Sequence, residues 1–581
     1  YWPIFYLWVA GMVLTLAGAL PGRAEGLRGL RTTLREIDVW EAGALAALVL
    51  FALVLRAWRV DTIPWTLSGD EGNFGRWARE ALDGRMINMF STGHLSMPSL
   101  YAFFQAAWLR LAGDNVFGLR LPWAIVGTLS VLGAYMLVRR LFGQGLALLV
   151  AVLLAGYHYH IHYSRLGLNN IADPFFVSWA LYFMAVGWQG GRRWPWALSG
   201  LLGGLAFFFY TGGRQVAVIL LGIIVWAALT EPGFAVRSRA GLAAMLLGFV
   251  VAAGPMLLFA FQHPDDFNAR INQVGIIQSG WLEREAELLG RSQAAVVAEQ
   301  FRKVLFAFNV FHDRTDFYKP GRPLLDFGAS MLFLLGGVLT VARLVDRRPG
   351  STGGEPGPAR PAVVDLPAWR YAVFAIWFLV VIVTGGVLTE GAPSSQRILS
   401  SSVPAIFFVA LALWELARVV TDLLRVPVQG RAVLALAVAA VIVYGSVRFY
   451  FGPYQDSWTY GSFNGEVSTA IGHHMQSLGP SWKQYFHGAP RMWAEFGSAT
   501  FISRNPYLDV VEPLNRPPAY VEPGYNAAFI LLPERMDDLA FIRQAYPDGT
   551  LVEVYRAGEP SAKPDGPLLF TAYDVVIRSS E

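Results

Sequence analysis

Two adjacent carboxylates, Asp70 and Glu71, sit in the run Thr66-Leu67-Ser68-Gly69-Asp70-Glu71-Gly72-Asn73-Phe74. Behind them Phe74, Trp77, Ala78 and Ala81 recur at helical spacing, so the pair falls at a helix N-terminus. That end favours negative charge, and a carboxylate held there stays ionised and able to take a proton from a hydroxyl. Ser68 or Asp70 can also cap the same helix, which is the structural reading of the pair. A second cluster is His158-Tyr159-His160-Ile161-His162. On a helix His158 and His162 share a face at i and i+4, a spacing that can hold a metal. The interleaved Tyr157, Tyr159 and Tyr163 equally describe an aromatic belt at a membrane surface.

These residues need a scaffold, and composition says which kind. The chain is 54% hydrophobic and only 15% charged, against about 25% charged in soluble domains. Over 581 residues that deficit marks a membrane protein. The absence of cysteine excludes disulfides, thiolate metal sites and cysteine nucleophiles. No basic cluster suggests nucleic acid. The chain begins at Tyr1, and no cleavage pattern follows its first apolar stretch.

A span takes about 20 apolar residues. Windows of that size fall near 1–20, 41–58, 121–141, 146–161, 172–190, 195–211, 215–230, 240–261, 325–343, 369–389, 402–421 and 432–450, which predicts about 12 transmembrane helices. Alternate connections carry Arg23, Arg28, Arg31 and Arg35; Arg139 and Arg140; Arg192 and Arg193; Arg237 and Arg239; Arg343, Arg347 and Arg348; and Arg418, Arg425 and Arg431. The positive-inside rule makes that side cytoplasmic. The other side receives long loops at 59–120 and 262–324 and the tail 451–581, and with them, or at their helix ends, every histidine and lysine. The Gly- and Pro-rich stretch 349–367 reads as a cytoplasmic linker. The tail reads as a small soluble α/β domain, with strands at 528–533, 551–556 and 568–577 and a helix at 536–546. The expected organisation is thus a membrane domain over 1–450 and an extracytoplasmic domain over 451–581.

The motifs of the first outer loop come in a definite order. After the acidic pair comes His94-Leu95-Ser96-Met97-Pro98-Ser99-Leu100-Tyr101, then an amphipathic stretch, then Gly113-Asp114-Asn115-Val116-Phe117-Gly118-Leu119-Arg120-Leu121 leading into the next span. This order resembles the C-type (GT-C) glycosyltransferase superfamily, in its branch of protein O-mannosyltransferases and lipid A aminoarabinose transferases. The resemblance runs over roughly residues 40–450, is strongest over 60–180 and is thin beyond 260. Some relatives have Lys before the Pro, where this chain has Met97.

The resemblance implies an α-helical polytopic membrane enzyme that moves a hexosyl or pentosyl group from a polyprenyl phosphate to an acceptor hydroxyl, with inversion. Asp70 would accept the acceptor's proton, and Glu71 would position the acceptor or assist. Asp173, at the outer mouth of a span after Ser164-Arg165, would be a second acidic group; its alternative is an N-cap before Pro174. A departing lipid phosphate needs cations, and Arg165, Arg214 and Arg397 lie at outer helix ends. Each either holds phosphate through paired hydrogen bonds or snorkels to headgroups. His94 and Tyr101, in the matching segment, join the candidate substrate-binding residues. Oligosaccharyl-transferring relatives use a divalent cation and mannosyl-transferring ones do not, so a metal at His158 and His162 stays open. Arg270, Arg302, Lys303, Arg314, Lys319 and Arg322 of the second outer loop either cover the cavity or form a solvated surface.

Expected partners are the lipid-linked donor, membrane lipid and a protein, lipid or glycan acceptor. Scarce Lys with abundant Arg, Ala and Gly suggests a GC-rich bacterial genome, hence undecaprenyl phosphate, a plasma (inner) membrane and a role in the cell envelope. A transporter is the competing class, but transporters show repeats and midplane polar sites; here polar groups gather at outer ends. An inactive scaffold with a partner-binding tail is the third reading, and Asp70-Glu71 argues against it.

Overall fold

The computed structural model of the protein describes residues 1–20, 38–345, 366–556 and 566–577. The arginines at 23–35, Arg347, Arg348 and nearly all of the 349–367 linker lie outside the described residues. The chain divides into two compact units. The first comprises Tyr1–Arg59, Met86–Phe104 and Arg120–Asp456; the second comprises Val60–Arg85, Gln105–Leu119 and Ser457–Glu581.

The first unit carries the spans of a multi-pass membrane protein. Among the described residues ten helices are long and apolar enough to cross a bilayer, and the pair Gln144–Ala155 and His158–Ser164, bent by 63°, makes an eleventh. The expected span at 195–211 is shorter than these. It is the helix Arg193–Leu205, 13 residues long, continued by the 3-10 turn Ala206–Phe208. Its glycines let a neighbouring helix come close. A Cβ on Gly200 would lie 1.9 Å from the Met245 carbonyl, and one on Gly204 would lie 2.7 Å from the Ala252 methyl. The segment is apolar because it is pressed against the helix Phe234–Gln262 in small-residue packing.

A π-helical turn, Ile382–Val387, ends the helix Ala368–Val381. Such turns recur at functional sites. Its Gly385 lets the backbone of Arg397 approach, since a Cβ there would meet the Arg397 carbonyl at 2.3 Å. The chain beyond is pinned by Ile276 N–H donating to Leu388 O at 3.1 Å and Glu390 N–H donating to Val274 O at 2.9 Å.

The second unit holds a five-stranded sheet. The strands are β1 (Trp482–His487), β2 (Tyr507–Asp509), β3 (Asn526–Leu531), β4 (Thr550–Tyr555) and β5 (Leu568–Val575), in the order β2-β1-β3-β5-β4. β1 runs parallel to β2 and β3, while β5 runs antiparallel to β3 and β4. The strands expected at 528–533, 551–556 and 568–577 correspond to β3, β4 and β5, and the expected helix is Asp538–Ala545. β3 is apolar along its length because both faces are covered. Ala528 and Ile530 pack with Val467, Ile471 and Met475 of the helix Ser462–Leu478. Ala527, Phe529 and Leu531 pack with Leu539 and Ile542.

Candidate active site

The acidic pair lies in the second unit, on the helix Gly69–Leu82. Ser68 is the N-cap and Glu71 the third residue of a complete capping box: Glu71 N–H donates to Ser68 Oγ at 3.2 Å, and Ser68 N–H donates to Glu71 Oε2 at 3.2 Å. The Tyr460 hydroxyl donates to the same Oε2 at 2.6 Å. Glu71 is fully buried, whereas Asp70 is exposed. Of the two capping residues that the sequence offered, Ser68 is the one used, and Asp70 stands exposed in the first turn. The helix is seated by glycine. A Cβ on Gly72 would come within 2.1 Å of the Gly497 carbonyl group, and one on Gly75 within 2.3 Å of the Phe501 ring. Arg79 closes the far end by donating to Asp114 at 2.8 Å and to Phe501 O at 2.9 Å. Burial lowers the Arg79 guanidinium from its ordinary range against the pull of Asp114.

The first unit contains the remaining candidates, and they divide into two groups. Asp173, Arg397 and Tyr210 come together, with Arg270 from the helix Pro264–Val274; the charges of Asp173, Arg270 and Arg397 all act on the Tyr210 hydroxyl. Asp173 is in the first turn of the helix Ala172–Gly190, whose N-cap is Ile171, so it is not the cap. Its carboxylate is buried against the Gly212 backbone, where a Cβ would lie 2.5 Å from Oδ2. Arg397 donates to Glu390 O at 2.5 Å, and burial holds its guanidinium below the ordinary arginine value. Ser96 fixes the Arg270 helix, accepting the Arg270 N–H at 3.0 Å and donating to Asp266 O at 2.8 Å. Arg270 was legible in the sequence only as one of several loop charges.

The second group serves packing. Arg165 is fully buried, and its Nη1 donates to Leu55 O at 2.8 Å and Arg56 O at 3.1 Å, while Nη2 donates to Trp58 O at 2.8 Å and Arg59 O at 3.2 Å. It satisfies the orphan carbonyls at the end of the helix Val39–Ala57. Arg214 donates to Phe267 O at 2.8 Å and lies 3.5 Å over the Phe267 ring. Tyr101 is buried against Trp123 and donates to Gly167 O at 3.2 Å. His94 opens a 3-10 turn, and its side chain lies outside the described residues.

The histidine cluster is buried inside the protein rather than spread as a belt on its surface. Every residue of the helix His158–Ser164 is buried. His158 Nδ1 bonds the Tyr318 hydroxyl, His162 Nε2 donates to Phe317 O at 2.7 Å, and Tyr163 bonds Ser395 Oγ at 2.8 Å. Ser395 in turn donates to Asp313, which also accepts the Thr315 N–H at 3.0 Å. Burial raises the Asp313 carboxyl above its ordinary value, against these hydrogen bonds. The helix is therefore an anchor that holds the outer-loop residues 313–318 and the turn around Ser395, next to Arg397. Among the described residues no three His, Cys, Asp or Glu side chains gather as a metal site.

Residues 96–258 match the family described as dolichyl-phosphate-mannose-protein mannosyltransferase. No curated protein matches the chain by sequence. Among solved structures, the Archaeoglobus fulgidus oligosaccharyltransferase tethered with an acceptor peptide aligns at a TM-score of 0.48 and 13% identity, over 82% of this chain and 64% of that one. ArnT from Cupriavidus metallidurans aligns at 0.45 and 18%, over 92% of this chain and 98% of that one. The arabinofuranosyltransferase AftD from Mycobacteria aligns at 0.39 and 14%, over 92% of this chain and 41% of that one. In the first of these alignments the chain spans less than two thirds of the archaeal enzyme's length. The matched family, protein mannosyltransferases by its description, falls in the branch that the motif order resembles. The family match stops at 258, close to where the motif resemblance thins.

Proposed function

We propose that this protein is a membrane glycosyltransferase that moves a sugar from a polyprenyl-phosphate carrier to an acceptor hydroxyl on the extracytoplasmic face, with inversion at the anomeric carbon. The observation that carries the reading is the division of labour in the acidic pair: Glu71 is taken into the capping box and Asp70 is left exposed. An alcohol attacks well only when a base removes its proton at the transition state. Asp70 supplies that base, and Glu71 fixes the turn that presents it. The matched family, described by a dolichyl-phosphate-mannose donor, supports a lipid-phosphate donor for this chain.

The leaving phosphate carries the charge that must be stabilised. Arg397 and Arg270 take that role, since their charges act on Tyr210 beside Asp173, whereas Arg165 gives both its Nη groups to backbone carbonyls and Arg214 lies against the Phe267 ring. Asp173, buried beside Tyr210, orients the sugar hydroxyls. The test is Asp70→Asn, purified in lipid and given a polyprenyl-phosphate sugar with an alcohol acceptor. Turnover should fall by about 10²-fold or more, the scale of a lost general base, while the melting temperature holds. Turnover equal to that of the unaltered protein would overturn the assignment.

A further inference from the structure

The second unit contains an open cleft of about 480 Å³ that the acidic pair does not line. That volume is typical of small-ligand sites, which run from about 300 to 1,000 Å³. Trp65 and Phe117 present rings to it, and Asp61, Asn115, His473 and Gln476 present polar groups. Phe117 is 39% exposed, a large aromatic surface to leave beside water. Trp65 is held in place by the ring of Trp458 at 5.7 Å and that of His473 at 6.0 Å. His473 and Gln476 stand three residues apart on the helix Ser462–Leu478 and so share its face.

Charge narrows the ligand. No lysine or arginine lines the cleft. Its one ion-paired carboxylate, Asp114, is already engaged by Arg79 and Arg504. A phosphate or carboxylate ligand would meet the Asp61 carboxylate with no lysine or arginine lining the cleft, Arg79 and Arg504 being paired with Asp114. An acyl chain would cover Asp61, His473 and Gln476 and strip water from their polar atoms, which costs free energy. A molecule with an apolar face and a ring of hydroxyls satisfies both kinds of surface. Its polarised C–H groups pack on the electron-rich aromatic face, and its hydroxyls pair with carboxylate, amide and imidazole.

We propose that this cleft binds a short neutral saccharide, its C–H face on Trp65 and Phe117 and its hydroxyls on Asp61, His473 and Gln476. Its use as a hold on a glycan acceptor rests on the glycosyltransferase reading; the binding itself does not. The experiment takes the full chain in lipid nanodiscs and a panel of neutral oligosaccharides of mannose, glucose, galactose and arabinose. An undecaprenyl-phosphate control and an unglycosylated Ser/Thr peptide control accompany them. Binding is read by saturation-transfer NMR and calorimetry, for the unaltered chain, W65A, the double variant H473A/Q476A and D70N.

At least one saccharide should bind, with affinity lowered about tenfold or more in W65A and in H473A/Q476A, the loss of one good contact. D70N should bind it normally while losing transfer. Because Trp65 is half-buried, the exposed His473 and Gln476 pair decides the matter if W65A melts early. No saccharide binding, binding that both sets of variants leave unchanged, or a cleft that takes only the peptide or the lipid phosphate would overturn the site. Loss of transfer in D70N alongside no saccharide binding would sink this inference alone. Normal transfer by D70N alongside saccharide binding would sink the base assignment alone.

Discussion

Tyr460 donates its hydroxyl to Glu71 at 2.6 Å, across 389 residues of sequence, and so ties the capping box of the Gly69–Leu82 helix to the segment that precedes the sheet. Neighbouring residues on a helix point about 100° apart, so Glu71 can turn inward to this bond only while Asp70 turns outward. Replacing Tyr460 with Phe removes one donor from a buried carboxylate oxygen. The expected cost is about 1–3 kcal/mol, read as a lower melting temperature. Glu71→Gln should be milder than Glu71→Ala, because the amide oxygen can still close the box. A Tyr460→Phe protein that melts with the unaltered one would show that the bond contributes nothing.

Arg165 separates two roles that the sequence left level. Its four hydrogen bonds to the carbonyls of residues 55, 56, 58 and 59 need a planar fork, which lysine lacks. Arg165→Lys should therefore melt early, by more than ~2 kcal/mol from carbonyls left without donors, while the folded fraction keeps the KM of the unaltered enzyme for the lipid donor. Arg397→Lys should do the reverse, raising that KM with little change in melting. A raised donor KM in Arg165→Lys at unchanged stability would return Arg165 to the phosphate.

Hydropathy, cap chemistry and strand periodicity made much of this architecture readable. The spans, the capping serine and the strands β3, β4 and β5 follow from local patterns whose physical cause is also local. What was not readable depends on partners distant in sequence. The 195–211 stretch is apolar by composition, but the close approach of the helix Phe234–Gln262 to its Gly200 and Gly204 shows only in the fold. The spacing of His158 and His162 is compatible with a metal, and only the positions of Phe317 and Tyr318 show what His158 Nδ1 and His162 Nε2 bond. Arg270 has no motif around it; it enters the site because Ser96 fixes its helix.

The histidine anchor makes its own forecast. Tyr318→Phe keeps the ring but removes the bond to His158, and His162→Ala removes the bond to Phe317 O as well as a ring packed 4.6 Å from Tyr318. Both should open residues 313–324 to protease and to amide exchange, His162→Ala the more, with transfer falling in parallel. Prolonged chelation should leave the melting temperature and the protection of this loop unchanged. A chelator-induced loss that zinc or manganese restores would establish a metal in place of the anchor.

The second unit should lose stability in mild acid, and the reason is His487. It is fully buried, its Nδ1 donates to Asp538 Oδ2 at 2.7 Å, and the Tyr520 hydroxyl lies 3.3 Å from Nε2. Burial lowers its pKa below the ordinary 6.5, outweighing the Asp538 hydrogen bond and charge that favour protonation. In the unfolded chain His487 titrates near its ordinary value. Between the two values the unfolded chain therefore holds the extra proton, and stability must fall as pH drops below about 6.5. Asp538 acts in the same direction further into acid. Burial raises its carboxyl, but the bonds from His487, Leu514 N–H and Arg535 outweigh this and leave it below its ordinary 3.8. The measurement is the melting temperature of the full chain against pH, with His487→Gln beside it. The unaltered chain should hold its stability above about pH 6.5 and lose it steadily below, on the scale of 1.36 kcal/mol for each unit of pKa separation. His487→Gln should start lower and show a flatter slope through the same window. If the two slopes coincide, His487 is not the group that couples this fold to pH.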